Sequence, residues 1–199
     1  MANWVEKRYL ESLNSLIDYL ARLKFNPNIL TSLGLLITLL AAVFFLLGDL
    51  LWAAIVLIIA GNFDILDGQV ARRSNQVTRF GAFYDSVLDR YAEIMLFLMI
   101  NLHYSSSVPY LISIITWLAL AGSILVSYTR ARAESLGLNC KIGFTQRPLR
   151  IILLIVGALA GHFFNINIFF ACLAVIAILA NYTAIERIVY VYKALKEKK

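Results

Sequence analysis

Asp64-Ile65-Leu66-Asp67-Gly68-Gln69-Val70-Ala71-Arg72 and, eight residues later, Gly81-Ala82-Phe83-Tyr84-Asp85-Ser86-Val87-Leu88-Asp89 place four aspartates inside otherwise apolar, helix-length stretches. A charged side chain at the centre of a bilayer costs about 2.5–3.5 kcal/mol on insertion scales, so four carboxylates need a compensating charge. Asp64 and Asp67 stand three residues apart, Asp85 and Asp89 four apart, so each pair projects from one helix face. The connection between the two stretches is short and basic, which predicts an antiparallel hairpin carrying both pairs near one end. Two Mg²⁺ or Mn²⁺ ions would set four positive charges against the four negative ones, and carboxylate oxygens suit such hard cations. Beside the acids, Gly68, Ala71 and Gly81 remove side-chain bulk. That serves close helix approach or makes room for a flat ring and a diphosphate. Arg72 adds a planar donor fork matched to phosphate oxygens.

Working outward, the chain around this pattern is that of a membrane protein. Its 199 residues are 61% hydrophobic, with a mean hydropathy of +0.77, whereas soluble domains lie nearer 45–50% apolar. A spanning helix takes about 20 apolar residues, and six stretches qualify as candidates: 29–47, 50–72, 80–103, 109–132, 148–164 and 166–190. The expected fold is all-α and integral to the membrane, with one six-helix domain over 29–199. Residues 1–28 are expected to form a juxtamembrane helix. Within 4–23, Leu10, Leu13, Leu16, Ile17, Leu20 and Leu23 recur at helical steps opposite Lys7, Arg8, Glu11, Asp18 and Arg22. This amphipathic pattern fits a helix in the headgroup plane, or one packed on a partner. Asn26-Pro27-Asn28 ends it, because Pro27 lacks an amide donor and restricts Asn26. No cleavable signal peptide is expected from the start of the chain, and Cys140 and Cys172 lack metal-ligand or disulfide-framework spacing.

The basic residues set an orientation. Lys7, Arg8, Arg22 and Lys24 precede the first span; Arg72, Arg73 and Arg79 flank the second–third connection; Arg130, Arg132, Lys141, Arg147 and Arg150 flank the fourth–fifth; and Arg187, Lys193, Lys196, Lys198 and Lys199 lie near the end. The connections near 48–50, 103–109 and 161–167 hold none. Positive-inside asymmetry predicts cytosolic termini and a cytosolic aspartate site. The net charge of +6 is then a membrane-surface feature, with no water-exposed domain to bind nucleic acid.

Asp-x-x-Asp-Gly-x-x-Ala-Arg, eight residues, then Gly-x-x-x-Asp-x-x-x-Asp resembles the signature of the CDP-alcohol phosphotransferases, integral-membrane enzymes of phospholipid synthesis. All fixed positions match, and the likeness extends over most of the chain. The resemblance implies transfer of the phosphatidyl group of a CDP-linked lipid, usually CDP-diacylglycerol, to an alcohol, with release of CMP by a two-metal mechanism. By the same analogy Asp64, Asp67 and Asp85 are metal ligands, and Asp89 is a ligand, the general base for the attacking hydroxyl, or both. Asp67, Gly68, Ala71, Arg72 and Gly81 form the CDP-binding set. Homodimers are the family expectation, for which the apolar faces Met95, Leu96, Met99 and Leu111, Ile115, Leu118 are candidates.

The acceptor is indicated by a second cluster: Arg130, Arg132, Arg147, Arg150 and Arg187. Several guanidinium groups make a receptor for a further phosphate, although arginines at a membrane surface also anchor to anionic headgroups. Ser127-Tyr128-Thr129-Arg130-Ala131-Arg132-Ala133-Glu134, Arg147-Pro148-Leu149-Arg150 and Asn181-Tyr182-Thr183-Ala184-Ile185-Glu186-Arg187 look like the prokaryotic inositol-phosphate-using branch. In that branch the residues matching Arg130, Arg150 and Arg187 bind the acceptor's phosphate. Glycerol phosphate is the rival acceptor, and a cation channel or carrier using the aspartates is the alternative from another class.

Overall fold

The computed structural model describes residues 13–105, 110–140, 142, 143 and 145–196. Among these it is wholly helical. A first helix, α1, covers 13–22, followed by α2 (Pro27–Leu47), α3 (Leu50–Arg73), α4 (Arg79–Tyr104), α5 (Tyr110–Ser135), α6 (Arg147–Phe163) and α7 (Ile166–Lys196). α2 to α7 coincide with the six expected stretches, with α7 running on to Lys196. Four of them, α2, α3, α5 and α7, are long and apolar enough to cross a membrane. α4 falls short because Asp85, Asp89, Arg90 and Glu93 interrupt it, and α6 has only 17 residues.

Polar side chains start the helices where the sequence breaks. Asn26 Oδ1 accepts the Asn28 amide at 3.0 Å with Pro27 in the first turn, where no amide donor is needed. Asp49 does the same for Trp52 (3.1 Å), Thr78 for Gly81 (2.9 Å) and Asn165 for Asn167 (2.8 Å). α2 ends on Gly48 at φ +77°, with the Gly48 and Asp49 amides bonded back to the Phe45 and Phe44 carbonyls. A residue with a Cβ fits poorly in this left-handed stop. One built on Gly48 would also stand 2.4 Å from the His103 ring.

The chain forms two compact units, one made of 1–37 and 59–91, the other of 38–58 and 92–199. In the first, Ile17, Leu30, Leu66 and Val70 form a buried cluster, flanked by Leu13, Leu20, Phe25 and Phe63. Arg73 binds both Asp18 and Asn14, so α1 is fastened to α2 and α3 by its Leu13–Ile17–Leu20 side. Of the large apolar side chains described here, Leu16, Tyr19 and Leu23 face outward. The stripe assigned to the headgroup plane is therefore split between protein and surroundings, because a helix this close to a hairpin can bury part of it there. Residues 4–12 of that expected helix lie outside the described residues.

In the second unit α7 packs against both α5 and α6 through small residues. A Cβ on Gly122 would lie 2.9 Å from Ala180 Cβ, and one on Gly157 2.8 Å from Cys172 Cβ. Phe45 stacks on Phe169 at 5.7 Å. Arg150 and Glu93 form a salt bridge in this core (2.7 Å), with side chains 1% and 2% exposed. Removing one partner of such a buried pair typically costs about 3–5 kcal/mol. Leu96 is fully buried here, so it is withdrawn from the faces proposed for self-association.

Candidate active site

A cavity of about 320 Å³ opens in the first unit, within the usual range for small-molecule sites. Its lining combines Pro27, Asn28 and Thr31 of α2 with Asp67, Gly68, Ala71 and Arg72 of α3. Gln76, Val77 and Thr78 follow from the turn, and Gly81, Ala82 and Asp85 from α4. The α3–α4 hairpin expected from the short basic connection thus brings the two halves of the aspartate pattern to one space.

Asp67 is 7% exposed. Thr31 Oγ1 lies 2.7 Å from Asp67 Oδ2 and 3.1 Å from the Pro27 carbonyl oxygen; the shorter bond, from hydroxyl to carboxylate, fixes the rotamer of Asp67. Asp67 also feels the charges of Asp85 and Asp64. Asp64 turns toward α2, where a Cβ on Gly34 would stand 3.5 Å from Asp64 Oδ1. Asp89 follows Asp85 by one turn of α4 and is not in the cavity lining. Among the described residues no three acidic, histidine or cysteine side chains close into a cation cage. The donor set itself fits a hard divalent cation: carboxylates only, one of them buried and held by a hydroxyl.

The small residues have separable roles. A Cβ on Gly68 would meet the Arg72 guanidinium at 3.3 Å, so the missing side chain leaves room for Arg72 to fold over α3 at the cavity. A Cβ on Gly81 would come within 3.0 Å of Thr78 Oγ1 and 3.2 Å of Asn28 Oδ1, narrowing the space directly.

The arginines expected to bind an acceptor belong to the second unit. Arg187 feels the charges of Arg130 and Arg150, and also that of Glu186. Their partners differ. Arg130 is exposed and paired with Glu134 of its own helix at 2.9 Å. Arg150 donates to Glu93 and to the Thr145 carbonyl (3.0 Å). Arg187 donates from Nε to the Ile142 carbonyl at 2.9 Å and from Nη1 to the Val126 carbonyl.

Sequence reasoning missed Asn28, Thr31, Gln76 and Thr78 as lining residues. A hydroxyl one turn into an apolar helix was the available signal for Thr31. Asn28 read simply as part of a helix break, since its place after Pro27 explains it without a ligand.

Residues 24–194 match the CDP-alcohol phosphatidyltransferase family, and the chain belongs to that family. It is a transferase of the multi-pass membrane type, and the cation-pathway alternative falls with that assignment. It is 36% identical over 181 residues to the archaetidylinositol phosphate synthase of Methanothermobacter thermautotrophicus, covering 90% of each chain. Among solved structures it is similar to the phosphatidylinositol phosphate synthase of Mycobacterium tuberculosis in complex with manganese and citrate. There the TM-score is 0.83 at 29% identity, covering 89% of this chain and 88% of the other. The same mycobacterial enzyme with CDP-DAG bound gives a TM-score of 0.81, again at 29% identity, over 89% and 92% of the two chains.

Proposed function

We propose that this protein transfers the phosphatidyl-type group of a CDP-linked lipid to inositol phosphate, releasing CMP. The observation that carries the reading is the cavity that Asp67, Asp85 and Arg72 share with Gly68, Ala71 and Gly81. Its width at Gly81 and the donor fork of Arg72 suit a nucleoside diphosphate, whose diphosphate accepts bidentate bonds from a guanidinium.

Asp64, Asp67, Asp85 and Asp89 are the carboxylates to hold two divalent cations, Mg²⁺ or Mn²⁺. Such ions, when bound, offset the diphosphate charge and ease departure of CMP. Thr31 keeps Asp67 oriented for this task. Asp89 accepts the proton of the acceptor hydroxyl as its oxygen bonds to the lipid-side phosphorus and the bond from that phosphorus to the CMP oxygen breaks. Arg130, Arg150 and Arg187 attract the acceptor's phosphate, since three gathered guanidinium groups are relieved by a dianion. The domain is read as six spans over 29–199, α4 and α6 crossing with the others, preceded by the juxtamembrane segment 1–28. The basic turns set the termini and site in the cytosol. A homodimer is the expected assembly.

The test is CMP release by purified protein supplied with CDP-diacylglycerol or its isoprenoid counterpart, Mg²⁺ or Mn²⁺, and a panel of acceptors. Release fastest with inositol phosphate is expected. Equal release with free inositol or serine would refute the arginine argument, and fastest release with glycerol phosphate would reassign the acceptor.

A further inference from the structure

We infer that Glu93 is a positioning residue for acceptor selectivity, acting through Arg150; this rests on the reading of Arg150 as a ligand for the acceptor's phosphate. A single carboxylate oxygen, Glu93 Oε1, faces one edge of the guanidinium: it accepts a hydrogen bond from Nε at 2.8 Å and stands in ion-pair contact with Nη2 at 2.7 Å. That edge is thereby fixed, and Nη1 is turned to the Thr145 carbonyl at 3.0 Å. Thr145 is itself held: its amide donates to Thr183 Oγ1 at 3.3 Å, and the Thr183 hydroxyl returns a bond to Thr145 Oγ1 at 3.3 Å. Glu93, Arg150, Thr145 and Thr183 are all buried, so the guanidinium has one orientation rather than a range of rotamers.

The partners on its two edges differ in kind. Glu93 is an anion that a phosphate cannot easily displace. The Thr145 carbonyl is a neutral dipole, and a phosphate oxygen is the stronger partner for Nη1–H. Arg150 therefore has a permanent edge and an exchangeable one, and Glu93 decides which is which. The sequence gives the pair no prominence, because Glu93 and Arg150 lie 57 positions apart.

The geometry makes a distinguishing prediction about substitutions. Because the hydrogen bond from Nε ends on a single oxygen, Glu93→Gln can keep the alignment with its amide oxygen. Glu93→Asp keeps the charge but retracts the acceptor by one methylene. Misplacement of about 1 Å can lower rates about 10²-fold. The experiment measures KM and kcat for inositol phosphate, KM for CDP-diacylglycerol and the preference for inositol phosphate over inositol in Glu93→Gln, Glu93→Asp, Arg150→Met and Glu93→Asp/Arg150→Met. Glu93→Asp is expected to raise the inositol phosphate KM about tenfold to a hundredfold and erode the preference for the phosphorylated acceptor, leaving the CDP-diacylglycerol KM unchanged. Glu93→Gln should lower the thermal stability, because it leaves a buried guanidinium without its counter-charge, but keep the acceptor KM close to wild type, and Glu93→Asp should add nothing once Arg150 is Met.

An impaired Arg150→Met beside a Glu93→Asp with wild-type acceptor KM overturns the positioning role alone. An Arg150→Met with unchanged acceptor KM overturns the underlying phosphate reading. If Glu93→Asp does not fold, Glu93→Gln carries the test. A tenfold rise in its acceptor KM would assign Glu93 a role through charge and sink the alignment argument.

Discussion

In the unit built from 1–37 and 59–91, charged and polar side chains line an open cavity of about 320 Å³. In the unit built from 38–58 and 92–199, Arg150 and Arg187 are 1% and 3% exposed and donate to a buried carboxylate and to backbone carbonyls. Both regions keep charge within an apolar chain. The first sets Asp67 and Asp85 against the cavity, while in the second Arg150 and Arg187 donate to groups of the protein itself. The aspartate region is thus arranged for a strong exogenous counter-charge, and the arginine region for exchange of one weak partner for a stronger one.

The sharpest way to break this contrast is at Asp89. Asp89→Asn removes the proposed proton acceptor and should reduce kcat about 10²–10⁴-fold, measured as CMP release with both substrates saturating. A variant that retains near wild-type kcat would leave Asp89 outside the chemistry. A step down in size, Thr31→Val deletes the hydroxyl that orients Asp67 and keeps the side-chain shape. Loss of such an orienting partner typically weakens metal affinity about 10–100-fold, so the Mn²⁺ concentration giving half-maximal activity should rise while saturating Mn²⁺ restores the rate.

Gly81→Ala tests the cavity without touching a charge. Its Cβ would crowd Thr78 Oγ1 and Asn28 Oδ1 at 3.0 and 3.2 Å. The expected outcome is a modest rise in KM for the CDP-lipid, with the acceptor KM unchanged in steady-state assays. The smallest effect belongs to the α1 attachment. Asp18→Ala removes a half-exposed ion pair with Arg73, worth about 0.2–1 kcal/mol, so thermal unfolding in detergent should shift only slightly and activity should hold.

What was legible in the sequence follows the same division. The helices could be read because apolar runs break at Asn26-Pro27-Asn28 and near 48–50 and 161–167, where Asn26, Asp49 and Asn165 cap the next helix. The cavity could be read because eight fixed residues over 26 positions tie glycines to aspartates at helical spacing. Thr31 and Asn28 were hidden by distance along the chain, and the Glu93–Arg150 pair more so, since periodicity reports faces and not partners. Leu96 looked like any lipid-facing leucine, because in a membrane helix the buried and the lipid-exposed sides are equally apolar. The splitting of the α1 stripe escaped for the same reason.

The central claim is that the aspartates of α3 and α4 gather a pair of ions, and binding of Mn²⁺ followed by electron paramagnetic resonance tests it without requiring turnover. The account predicts two Mn²⁺ per chain in the wild-type protein, with uptake lost or reduced to one ion in Asp67→Asn and Asp85→Asn. Wild-type protein that takes up no Mn²⁺ at millimolar concentrations, or variants that take up as much as wild type, would contradict it.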